Sequence, residues 1–378
     1  MPGARALSYG IDLISAGIRR ARDLPWQPSP KPRQSPGSIH ERSEVRICLL
    51  TNQDLLAIPF AADDWPCDPR PFYPEAQWEV EFLRKGSSVA QVERRIREGF
   101  DLYFNLCDGA ADQDIPGIEV VRTLEAHGVA FTGATSEYYE PSREDMKRAC
   151  RDEGIATPAY VLARSDADLD HAARVLRFPL FVKHYSSYSS VDLSRRSRVM
   201  TSAGLRQQGR KMMRRHGAAL VEEFIAGTEC TVLVAENPDD CARPVTYTPM
   251  QYRFPDGESF KHAELKWVDY DRMSAFPVED PILDAKLRDA SARFFVALKG
   301  ASFGRCDLRV DSHGTPYMLE INPNCGVYYR PEDAGSADLC LARDPAGHVG
   351  FTRQLVRAAL QRRIRYTSNV TLKACHAD

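Results

Sequence analysis

A stretch near the C-terminus, GRCDLRVDSHGTPYMLEINPNCGV (304–327), sets polar side chains at spacings suited to metal and phosphate chemistry. Two alternating strands, 305–310 and 317–322, flank a tight turn centred on His313 and Gly314, where Gly supplies the positive φ that such turns require. That turn sets Arg305 opposite Asn322 and Asp307 opposite Glu320, and period-two alternation points all of them the same way. The other face, Cys306, Leu308, Val310, Tyr317, Leu319 and Ile321, is apolar and must be packed. Carboxylates directly opposite one another repel by roughly 0.2–1 kcal/mol, and by more when partly buried. A hard divalent cation removes that repulsion. Carboxylates with a neutral amide oxygen suit Mg²⁺, which usually shares its oxygen ligands with substrate phosphates. The competing reading is a solvated polar face on a one-sided antiparallel sheet, with Arg305 screening the acids.

Other stretches could serve a nucleotide. FPLFV (178–182) ends in Lys183 and runs into the serine-dense HYSSYSSVDLS, where a lysine followed by loop hydroxyls and amides can hold phosphate oxygens. ALVEEFIAGTECTV (219–232) reads as strand, short kink, strand. The backbone of Glu223–Ile225 could read an adenine edge there, and Glu229 could accept ribose hydroxyls. Lys266 in HAELKW offers a further cation. Each stretch alone has an ordinary structural reading; their shared order and spacing point to one site.

The scaffold for these groups is 378 residues long, 43% hydrophobic and 27% charged, which suits two or three globular domains. A formal charge of −2 argues against a non-specific nucleic-acid binder, and no run of about 18 apolar residues offers a membrane span. The ten cysteines form no C-x-x-C pair and read as small buried hydrophobes in a reducing compartment, without a disulfide framework. Cys325, beside the proposed site, is the one not expected to be inert.

From Val45 strands and helices alternate, with strands at 45–50, 101–106 and 129–133 and helical stretches around 75–84 and 89–98. Pro116 and Gly128 bracket a further helix. Ser142 caps one that stops at Gly154, and Asp280 caps one that begins at Pro281 and ends at Gly300. The pattern predicts a mixed α/β chain with a partly parallel sheet, and no internal repeat is evident. Residues 1–44 stand apart: Leu7, Ile11, Ile14 and Ile18 form one stripe of a short helix, followed by a Pro/Ser-rich linker. With seven basic and four acidic residues, this segment resembles an organelle transit peptide, but Asp12 and Asp23 favour a docking helix on a flexible linker.

Taken together, the segments resemble the ATP-grasp superfamily and, within it, the D-alanine–D-alanine ligase-like enzymes. FNLCDG (104–109), VAFTG (129–133), EGIATPAY (153–160), FPLFVK (178–183), LVEEFIAGTE (220–229), AELK (263–266) and RCDLRVD with LEINPNCG (305–326) carry the resemblance, which spans 45–365. It implies a three-domain ATP-grasp architecture: a βαβ substrate domain at 45–140, a central subdomain at 141–226 and a metal domain at 227–365, with a tail at 366–378. It implies that Asp307, Glu320 and Asn322 ligate two Mg²⁺ ions, or Mn²⁺, on the phosphates of ATP. Lys183 and Lys266 would contact phosphate, and Ser189 and Ser190 would belong to a phosphate-closing loop. Glu222, Glu223 and Ile225 would line the adenine pocket, Glu229 would bind ribose, and Arg305 would stabilise the oxyanion as the acyl intermediate is attacked. The implied chemistry is phosphorylation of a carboxylate by ATP, then amine attack on the acyl phosphate, releasing ADP and phosphate. Small-molecule carboxylate and amine substrates, a cytoplasmic setting and a homodimer would follow.

Departures from the family pattern shape these expectations. Arg143 stands where the family has its first ATP-binding lysine, with Lys147 one helical turn later, so either could make that contact. Tyr188 and Asp192 replace the glycines of the phosphate loop, which leaves it less free to adopt positive φ. LLTNQDLLAIPF (49–60) replaces a Ser/Glu-containing substrate segment, and VYYRPED follows Gly326 in place of small polar residues. D-Ala-D-Ala is therefore not the expected product. Tyr328, Tyr329 and Arg330 suggest a larger or differently charged acceptor, with Arg330 pairing a substrate carboxylate. A peptide or protein terminus is an alternative acceptor, and a degenerate nucleotide-binding scaffold is the reading from a different class.

Overall fold

The computed structural model describes residues 44–53, 66–110, 113–185, 192–262, 265 and 272–374. Strands β1 (Arg46–Thr51), β2 (Gln77–Phe82) and β3 (Leu102–Asn105) form a parallel sheet in the order β2-β1-β3. β1 is covered on both faces, which is why its centre, Ile47 to Leu50, is an unbroken apolar run. Helices α1 (Ser88–Glu98) and α2 (Ile118–Ala126) bury Val92, Val120, Val121 and Leu124 in one cluster with Cys48, Leu50 and Tyr103.

Two expectations fail in this region. The stretch 75–84 contains β2 rather than a helix, because Trp78, Val80 and Phe82 alternate with Gln77, Glu79 and Glu81 at period two. The expected strand 129–133 reduces to a single parallel bridge between Tyr103 and Phe131.

Next come α3 (Arg143–Asp152), β4 (Tyr160–Ala163), α4 (Asp166–Val175), β5 (Leu180–His184), β6 (Arg198–Val199), α5 (Ser202–His216) and β7 (Ala219–Glu223). The strands make an antiparallel sheet ordered β4-β7-β5-β6. The Ser142 side chain accepts from the Asp145 N–H at the start of α3, a cap worth about 1 kcal/mol. Leu169, Ala172, Leu205 and Met212 of α4 and α5 pack on Leu180, Val182 and Val221.

The third sheet holds β8 (Thr228–Ala235), β9 (Val245–Thr246), β10 (Met250–Arg253), β11 (Ser274–Pro277), β12 (Phe303–Val310) and β13 (Pro316–Pro323), ordered β11-β10-β8-β12-β13 with β9 on β8. Side chains of β8 alternate between two cores: Cys230, Val232 and Val234 face one, Leu233 and Ala235 the other. Helix α6 (Pro281–Ala297) closes the first core; α7 (Ser336–Ala342) and α8 (Gly347–Ala374) close the second. α8 runs on through residues expected to be a tail from 366.

The hairpin of β12 and β13 has the expected register where it matters, with Arg305 opposite Asn322 and Asp307 opposite Glu320. Beyond Asp307 the pairing shifts, so that Leu308 faces Met318 and Leu319 is the bulged residue. Met318 therefore takes the packed face, 1% exposed, while Leu319 turns to the cavity. The expected packing of Tyr317 and Leu319 on the apolar face is corrected accordingly.

Candidate active site

The polar face of β12 and β13, the ends of β5 and β7, α3 and the loop after β3 line one cavity of about 650 Å³. At its centre, Arg305 donates from Nε and Nη2 to the two carboxylate oxygens of Asp307, at 3.0 and 2.8 Å. Thr231 Oγ1 and Asn322 Nδ2 donate to the same carboxylate at 2.9 and 3.0 Å. Burial alone would raise the Asp307 carboxyl; the Arg305 guanidinium outweighs it and holds the group below the usual range. Glu320 accepts from Arg143 Nη1. Its burial is likewise outweighed by Arg143 and Lys183, against the repulsion of Asp307. Both acids are thus ionised, and each is neutralised by an arginine.

Those residues fit a hard divalent cation. Asp307 and Glu320 offer charged oxygens, and Asn322 offers a neutral one because its Nδ2 is the atom that bonds Asp307. Bound there, the ion would supply charge neutralisation on phosphate oxygens.

Behind this centre lies a buried charge cluster. Glu222 stands between Lys147 and Lys183, with 2.6 Å to each ammonium. Burial would raise its carboxyl, but the two lysines hold it at about 2. Lys147 also donates to Thr157 Oγ1 at 2.7 Å, and Thr157 donates to the Met318 carbonyl at 2.8 Å, tying α3 to β13. Lys183 and Arg143 face the cavity, whereas Lys147 is not among the residues lining it. Burial lowers the Lys183 ammonium, which the Glu222 carboxylate opposes.

One end of the cavity has apolar walls suited to a flat ring: Phe181, Phe224 and Phe260, with Phe181 and Phe260 edge to face at 4.9 Å, together with Ile225 and Leu319. The Glu223 carboxylate pairs with Arg177 at 2.8 Å and its N–H donates to the Ala159 carbonyl at 2.9 Å, so neither is left for a ligand in the cavity. The Ile225 carbonyl accepts from Arg309 Nε at 2.6 Å. Glu229 lines the cavity between Arg309 at 3.2 Å and Lys261 at 3.7 Å.

Sequence reasoning overlooked Arg309 and Lys261. Arg309 was recoverable, since it follows Arg305 and Asp307 on one face of β12 at period two. Lys261 lies in no regular element and left no such signal. Ser189, Ser190 and Lys266 lie outside the described residues. Asp192 has φ 58°, so the position expected to resist positive φ adopts it; its carboxylate is held by Arg215 and His216, and Asp is among the residues that tolerate this conformation.

The acceptor expectations divide. Tyr329 lines the cavity. Tyr328 is 3% exposed, bonds Thr352 through its hydroxyl at 3.0 Å and packs on Phe72 and Phe104. It is a core residue and does not reach the cavity. Arg330 pairs with Asp333 at 2.9 Å and does not itself line the cavity, although Asp333 does. Cys325 does line it, but burial pushes its thiol up to about 12, against the expectation that it is not inert.

A family model described as D-ala D-ala ligase C-terminus matches residues 150–329. The D-alanine–D-alanine ligase of Azoarcus sp. (strain BH72) is 30% identical over 237 residues, 61% of this chain and 72% of that protein. The same-named enzyme of Xanthomonas axonopodis pv. citri (strain 306) is 29% identical over 244 residues, 63% of this chain and 73% of that protein. Among solved structures, D-alanine–D-alanine ligase from Bacillus anthracis complexed with ATP superposes with a TM-score of 0.61 at 17% identity, covering 86% of this chain and 100% of that one. The Coxiella burnetii enzyme gives 0.61 at 14% identity, covering 88% and 99%. The fold is thus the ATP-grasp ligase fold, and the chain belongs to the D-alanine–D-alanine ligase family of ATP-grasp carbon–nitrogen ligases, which uses ATP and Mg²⁺.

Proposed function

We propose that this cavity phosphorylates a small carboxylate at the expense of ATP and joins the resulting acyl phosphate to an amine, releasing ADP and phosphate, on substrates other than a pair of D-alanines. One observation carries the reading: Arg305 lines the cavity and is clamped on Asp307 through Nε and Nη2, which leaves Nη1 outside that clamp. A guanidinium fixed in this way is a preorganised donor for the oxyanion that develops when the amine attacks, an effect worth about 2.7–4 kcal/mol in comparable sites. Lys183 and Arg143 bring positive charge to the transferring phosphoryl group, where positioning and neutralisation do most of the work. The aromatic end receives the base, with Glu229 accepting ribose hydroxyls.

A product other than D-Ala-D-Ala is supported by the far wall, where Asp108, Tyr329, Glu332 and Asp333 line the cavity. A cytoplasmic setting belongs to the same proposal and is supported by the nine free cysteines among the described residues. The test is an ADP-release screen over pooled amino acids and simple amines, with mass spectrometry of the products. ADP should form only when an acceptor is present, together with the amide mass. ADP release indifferent to added substrate contradicts the reading.

A further inference from the structure

Every lysine and arginine described on the cavity wall already has an acid. Arg143 has Glu320, Lys183 has Glu222, Arg305 has Asp307, and Arg309 and Lys261 share Glu229. Arg330, expected to receive a substrate carboxylate, does not line the cavity and pairs with the lining acid Asp333. In the ligase reading above, Arg143 and Lys183 serve the phosphoryl group and Arg305 the oxyanion, while Arg309 and Lys261 hold Glu229, so among the described lining residues no lysine or arginine is assigned to a carboxylate on the acceptor. The imbalance runs the other way at Asp108, which follows β3 at the carboxyl end of a parallel sheet, where ligands of such sheets bind. Its charge is felt by the hydroxyls of Tyr139 and Tyr329, and no cation among the described residues pairs with it.

We propose that Asp108 is the counter-charge for a second, non-reacting ammonium on the amine substrate, so that the acceptor is a diamine. This rests on the ligase reading above. Asp108 is exposed to the cavity space, and the protein packed around that space pushes its carboxyl up to about 6. It is still mostly ionised at neutral pH, and an ammonium against it would restore the interactions that burial removes. In the reaction the free amine attacks the acyl carbon and loses its proton. The amide C–N bond forms as the C–O bond to phosphate breaks, and the distal ammonium is unchanged. Tyr139 and Tyr329 frame this position: Tyr139 Oη donates to the Gly109 carbonyl at 3.0 Å, and Tyr329 stands over Gly326, where an added Cβ would meet its hydroxyl at 2.2 Å.

The experiment compares putrescine, butylamine and γ-aminobutyrate as acceptors for the full-length chain with ATP, Mg²⁺ and pooled amino acids as carboxylate donors. These acceptors place an ammonium, a methyl or a carboxylate at the distal end. We expect kcat/KM for putrescine to exceed that for γ-aminobutyrate by about tenfold or more, the scale of one well-placed ion pair. Asp108→Asn should collapse that ratio, and Asp108→Lys should invert it. A ratio is read, so a partly misfolded variant does not mimic the result. Equal use of the three amines by the wild type, or a ratio untouched by Asp108→Asn, overturns the role of Asp108 and leaves the ligase reading standing. Amide products formed only with amino-acid acceptors do the same. No ADP release with any donor and acceptor overturns the ligase reading, and this proposal with it.

Discussion

Arg305 and Asp307, two residues apart on β12, hold each other through paired hydrogen bonds of 3.0 and 2.8 Å, and Asn322 across the hairpin donates to the same carboxylate at 3.0 Å. The strand's period-two geometry thus couples the oxyanion donor to a metal-ligand candidate: neither moves without the other. Replacing Arg305 by Ala should lower kcat by about 10²–10³-fold while nucleotide binding persists, as for loss of one oxyanion donor. Equilibrium binding of ATP beside steady-state kinetics checks it; a change confined to KM would count against the assignment.

Asp307→Asn and Glu320→Gln should each abolish turnover with the fold intact. Both keep the side-chain volume while removing charge that Arg305 and Arg143 neutralise. Circular dichroism and ADP release report the two sides, and wild-type ATP consumption in both variants would sink the metal assignment.

Glu222 lies between two buried lysines, so Glu222→Gln leaves both ammoniums without their acid and should cost about 3–5 kcal/mol. The pH dependence follows from the same contact. The folded carboxyl sits at about 2 against an ordinary 4.5. Its contribution is therefore present above 4.5 and lost as pH falls from there toward 2. Chemical denaturation from pH 6 to pH 3 should show a steeper loss in the wild type than in the variant. Parallel slopes would show that the cluster does not titrate in this way.

Arg330→Ala should change substrate KM less than Tyr329→Ala does, because Arg330 does not line the cavity itself and reaches it only through Asp333, the lining acid it pairs with. Tyr328→Phe removes the hydroxyl bond with Thr352 and should cost about 1 kcal/mol without altering KM. Tyr329→Ala should raise an acceptor KM. A KM effect at Arg330 larger than at Tyr329 would restore the sequence-based expectation.

Gly227 has φ 141°, and an added Cβ would meet the Val310 carbonyl oxygen at 1.9 Å, so Gly227→Ala must displace the turn between β7 and β8. Arg309 Nη2 donates to the Gly227 carbonyl at 2.7 Å, so the base end of the cavity should suffer with it. A larger rise in KM for ATP than for the carboxylate is the expected signature.

The hairpin of β12 and β13 was legible in the sequence because period two fixes a face from residue types alone: Arg305 and Asp307 pair with Asn322 and Glu320 as read. The bulge at Leu319 was not, because Tyr317, Leu319 and Ile321 alternate as smoothly as an unbroken strand, and only the partner strand reveals the skipped residue. Lys147 and Glu222 read as ordinary helix and strand residues. Their pairing is tertiary, joining α3 to β7, and no local pattern announces it. Arg330 misled for the opposite reason: its place after the NPN loop suggested a role, while Asp333, three residues on, had already claimed it.

The measurement that bears most directly on the central claim follows carboxylate oxygen. Pooled amino acids labelled with ¹⁸O in the carboxyl group are supplied with ATP, Mg²⁺ and acceptor amines, and the released phosphate is weighed by mass spectrometry. An acyl phosphate requires one carboxyl oxygen to leave with the phosphoryl group, so phosphate carrying a single ¹⁸O for each amide formed is the expected result. Unlabelled phosphate accompanying amide formation would contradict it.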